Sequence, residues 1–74
     1  MMITVLVESS AVENLSWYRS WDKKEILAVW FVGNEEAYRY EGVSLETFMN
    51  LLNSESIGKA LNELVIRPRR EVAA

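Results

Sequence analysis

The sequence predicts an α+β domain: an antiparallel meander of three to four strands followed by two short helices packed on one face. Three observations carry that expectation. Up to Glu41 the apolar residues fall in short runs that are β-branched, aromatic or alternating. After Gly42 their spacing lengthens to about 3.6 residues. The breaks between runs, Ser9-Ser10-Ala11, Asp22-Lys23-Lys24 and Gly33-Asn34, are short and polar or glycine-containing, as turns between neighbouring strands are.

The elements follow in order. Met2 to Glu8 reads as a first strand from its β-branched content. A second strand is expected at Leu15-Ser16-Trp17-Tyr18, with Leu15 and Trp17 on one face. The unbroken apolar run from Ile26 to Val32 fits a central strand, or one whose outer face meets a partner. Gly33-Asn34 suits a two-residue type II′ hairpin with glycine first. A fourth strand from Glu36 to Glu41 would point Tyr38 and Tyr40 one way and Arg39 the other. With that turn Tyr38 pairs with Val29 and Tyr40 with Leu27. Ser44 is placed to cap a first helix with Leu45, Phe48, Leu51 and Leu52 on its stripe. Ser54 or Ser56 would cap a second helix carrying Ile57, Ala60, Leu61 and Leu64. Pro68 is expected to end that helix, so residues 1–66 form one domain and residues 67–74 a tail.

Composition narrows the function. A chain of 74 residues supports one core, and its 50% hydrophobic content and three tryptophans give that core material. It has no cysteine and no histidine, which removes disulfides and the usual zinc ligands, so neither a metal nor another cofactor is expected. The apolar run at Met1 to Val7 lacks a basic flank and stops at Glu8, so neither a membrane span nor a signal peptide is expected, and the compartment is taken to be the cytoplasm. The net charge of −3 offers no general attraction to nucleic acid, although Arg67, Arg69 and Arg70 cluster near the C-terminus.

In this order and spacing, Ser9-Ser10, an apolar strand, Tyr38-Arg39-Tyr40, Gly42-Val43, Ser56-Ile57-Gly58-Lys59 and Asn62 resemble the KTSC domain, over Val7 to Ile66. That family is named for its occurrence at the C-terminus of some lysyl-tRNA synthetases and includes small free-standing bacterial and phage proteins. Here Ala60-Leu61 stands where the family has an aromatic pair, Ser44 where it has proline, and Tyr18-Arg19 where it has tyrosine-aspartate. The resemblance implies RNA binding, inferred for the family from its attachment to a tRNA synthetase.

Two partner classes follow. For RNA, the candidate contacts are Tyr38 and Tyr40 as stacking rings, with Arg39, Lys59, Arg67, Arg69 and Arg70 as cations. Against this, cross-strand tyrosines are ordinary sheet stabilisers, and three arginines at a chain end also make a solvated tail. For a larger protein, or a second copy in a homodimer, the candidate surface is Ile26, Ala28, Trp30 and Val32 with Ala37 and Arg39, an apolar stripe beside a cation. An enzyme is not expected. Ser9-Ser10 has no base to activate it, and adjacent Glu35 and Glu36 on a strand would face opposite ways. Ser56-Ile57-Gly58-Lys59 lacks the glycine-rich approach and the hydroxyl of a phosphate loop, so Ser56 is read as a cap and Gly58 as a packing residue.

Overall fold

Where apolar side chains alternate the chain pairs into a sheet, and where they recur every three or four residues it coils back over one face of that sheet. The computed structural model describes residues 2–7 and 9–69. Strands β1 (Met2–Leu6), β2 (Val12–Arg19), β3 (Glu25–Phe31) and β4 (Tyr38–Glu41) form one antiparallel sheet in the order β1-β2-β3-β4. Helices α1 (Leu45–Leu52) and α2 (Ile57–Leu61) follow, and α2 widens into a π-helical segment, Asn62–Ile66. The α+β expectation holds.

One sheet face is the core. Across it run the rows Ile3, Trp17, Leu27, Tyr40 and Val5, Leu15, Val29, Tyr38. Leu15, Trp17, Leu27 and Val29 are buried with Phe48 and Leu51 of α1, Leu61 of α2 and Val65 of the π-helical segment. The indole of Trp17, fully buried, donates to Val43 O at 2.8 Å, so its one polar atom is satisfied.

Helix starts agree with the sequence. The Ser44 hydroxyl accepts from Thr47 N at 3.1 Å, and the Ser56 hydroxyl from Lys59 N at 3.4 Å, so Ser56 rather than Ser54 is the second cap. Ser54 instead donates to Leu51 O, closing α1.

Three expectations are corrected. β2 begins at Val12, ahead of Leu15, because a bulge between Val12 and Asn14 puts both Val12 and Leu15 in the core despite their odd separation. The β3–β4 connection is not a two-residue II′ hairpin. Asn34 N donates to Phe31 O, and Gly33 at φ +89° is the second central residue of that turn. The pairing of Tyr38 with Val29 and Tyr40 with Leu27 is nonetheless the expected one. Finally, Pro68 does not end the last helix, which runs on through Arg69. A proline cannot donate to the carbonyl four residues back, and the preceding turns have already shifted to i→i−5 bonding, with Arg67 N donating to Asn62 O.

Candidate protein-docking face

The second sheet face is opposite the helices. Register alone puts three rows on it: Met2, Tyr18, Ile26, Glu41; then Thr4, Ser16, Ala28, Arg39; then Leu6, Asn14, Trp30. The middle row is small in β2 and β3. Ser16 and Ala28 are 4% and 2% exposed even though the helices pack on the other face, because the taller Tyr18, Ile26 and Trp30 stand on either side. Ser16 and Ala28 are covered by these neighbours, and the Thr4 and Ser16 hydroxyls are joined at 3.0 Å. Tyr18, Ile26 and Trp30 are half-buried, whereas Met2 and Leu6 on β1 are 66% and 80% exposed.

Of the expected protein-binding stripe, Ile26, Ala28, Trp30 and Arg39 do share this face. Val32 lies beyond the end of β3 in the turn, where its N–H donates to Ala11 O and its side chain is exposed. Trp30 and Arg39 together with Glu35, Glu36 and Ala37 line a depression at one end of the face. Glu35 and Glu36 are therefore not alternating strand residues. They precede β4, in a loop that lets both residues border the same hollow.

The expected RNA contacts are scattered. Tyr38 and Tyr40 are on the core side, as their register with Val29 and Leu27 requires. Tyr40 packs against the core, while the more exposed Tyr38 meets Phe31 edge to face, ring centres 5.5 Å apart. Arg39 projects from the opposite face, Lys59 is exposed on α2, and Arg67 is exposed on the final turn. Arg69 is not part of a solvated tail. Its Nε donates to Glu41 O and its Nη1 to Val65 O, each at 2.9 Å, which ties the helix end to the corner after β4. Arg70 lies outside the described residues.

One exposed aromatic is not anticipated by periodicity. Trp21 is 96% exposed in the β2–β3 turn, at the end of the sheet where Tyr18 and Ile26 lie. The turn holding it is heavily bonded: Ser20 N donates to Lys24 O, Lys23 N to Ser20 O, and the Ser20 hydroxyl contacts Asp22 Oδ1. Lys23 takes the left-handed conformation at φ +67°. The Asp22 carboxyl is held below its ordinary value, first by the Ser20 hydroxyl, against slight desolvation and with help from the Lys24 ammonium. The sequence signal was available, since Trp21 sits outside every apolar stripe.

The Ser9 hydroxyl accepts from Ala11 N and Val12 N, turning the chain into β2. Among the described residues no helix is long and apolar enough to cross a membrane.

Comparison with known families adds one finding: the family model of the KTSC domain matches residues 8–69. No curated protein and no solved structure matches the chain.

Proposed function

The chain belongs to the KTSC domain family, and from that premise we propose that it is a small non-enzymatic binding module that docks a protein partner on the open face of its sheet. The observation that carries this reading is the set of half-buried Tyr18, Ile26 and Trp30 standing around Ser16 and Ala28, on the face that the helices leave open. Tryptophan and tyrosine beside an arginine are the side chains that most often anchor protein interfaces. Glu35 and Glu36 next to Trp30 favour a partner segment that is apolar with a cation at one end, and they repel phosphate. RNA is the weaker reading on the same grounds: Arg69 is already engaged and Tyr40 is packed. The site of action taken with this reading is the cytoplasm.

The test is capture of the partner from a nuclease-treated extract by tagged protein. Trp30→Arg should abolish capture and Glu35→Lys with Glu36→Lys should weaken it, with thermal melts confirming that each variant folds. Lys59→Ala with Arg67→Ala should capture normally. Capture that is lost on nuclease treatment and in high salt, and that survives Trp30→Arg, would replace the protein partner with RNA.

A further inference from the structure

The two edges of the sheet are protected unequally. β4, at one edge, is four residues long and carries Arg39 and Glu41, both charged and both exposed on the open face. β1, at the other edge, is Met2-Ile3-Thr4-Val5-Leu6, without a charge, a proline or a bulge. Antiparallel strands direct alternate backbone groups to either side, so β1 turns half of its N–H and C=O groups away from β2, with no further strand among the described residues to receive them. Folded proteins usually guard such an edge with lysine, proline or a bulge, and an unguarded apolar edge is a template for another strand.

The order of residues in β1 says which strand fits. About Thr4 the segment is chemically palindromic: Ile3 matches Val5, and Met2 matches Leu6. Each pair across that centre is therefore apolar against apolar, which suits an isologous contact, where a two-fold axis brings residue i of one copy against j of the other and j against i. We propose that β1 pairs antiparallel with β1 of a second copy, centred on Thr4, so that two sheets join edge to edge into one. A two-fold axis perpendicular to the sheet keeps both open faces on the same side. Met2 then meets Leu6 of the other copy on that side, covering the two most exposed apolar side chains of β1, and Ile3 meets Val5 on the core side. No charge lies in β1 to oppose the contact, despite the net charge of −3. This contact is edge to edge, separate from the surface of Tyr18, Ile26 and Trp30 on β2 and β3, and leaves Trp30 free on each copy.

The dimer is read by light scattering over micromolar to millimolar protein. Met2→Glu alone and Leu6→Lys alone should each weaken it about tenfold or more, since the symmetry repeats every cross-strand pair twice. The double variant should recover at low salt to within about threefold of the unchanged protein, because each glutamate then faces a lysine of the other copy. Both positions are exposed, so the fold should persist. In the unchanged protein, amides of β1 should also gain protection from hydrogen exchange as concentration rises. A protein that stays monomeric throughout, single variants that dimerise as well as the unchanged chain, a double variant no tighter than the singles, or β1 protection independent of concentration would each overturn the proposal.

Discussion

A guanidinium that spends its donors on backbone carbonyls is a fastener, and Arg69 does this at Glu41 and Val65 while lying 3.7 Å from where a Cβ on Gly42 would sit. Arg69→Ala should cost about 1–2 kcal/mol in chemical denaturation, toward the low end of charged hydrogen bonds because one of the two is exposed. Arg69→Lys should recover little of it, since an ammonium cannot reproduce the planar fork. The β2–β3 turn offers a pH test. The Asp22 carboxyl is held low first by Ser20, so its contribution is present above its ordinary value of 3.8 and lost only as pH falls through the lower folded value. Trp21 emission and the Lys23 amide resonance should therefore hold steady down to about pH 4 and change below it. A midpoint at or above the ordinary carboxylate value would contradict the Ser20–Asp22 contact. Asp22→Asn should remove the transition altogether.

At the scale of elements, the caps carry the simplest stability prediction. Ser44→Ala removes the acceptor for Thr47 N and should lower stability by about 1 kcal/mol in urea unfolding. No measurable loss would mean that the start of α1 is held by packing alone. These helix starts were legible in the sequence because a cap needs only a hydroxyl at the right offset from an apolar stripe. The β3–β4 pairing is also the expected one, although it was reasoned from a two-residue turn that the chain does not make; strand alternation fixes only which face the two tyrosines share. What was not legible depends on irregular backbone. The bulge near Glu13 hides the start of β2 by breaking the alternation between Val12 and Leu15. The π-helical turns before Pro68 let the helix pass a residue that ordinarily stops it. Neither leaves a periodic trace.

For the whole molecule, one decision organises the site: both helices pack on the face that holds Leu15, Trp17, Leu27 and Val29, and among the described residues no helix covers the aromatics of the opposite face. The sequence indicated that Ile26, Ala28 and Trp30 share a face, because alternation along a strand is strict. It did not indicate that Ser16 would be buried beside Ala28, which needs the β2–β3 register, nor that the arginine cluster would be split by the clamp at Arg69. The three tryptophans report on this arrangement independently. Trp17 is sealed in the core with its indole on Val43, Trp30 stands half-buried on the open face, and Trp21 is exposed at the turn. The most direct measurement is therefore the indole N–H spectrum of isotopically labelled protein during titration with the captured partner. Docking on the open face predicts that the Trp30 resonance shifts and saturates with binding while that of Trp17 stays in place. A Trp30 resonance that never moves, with shifts confined to amides of α1 and α2, would contradict the account and put the binding surface on the helices.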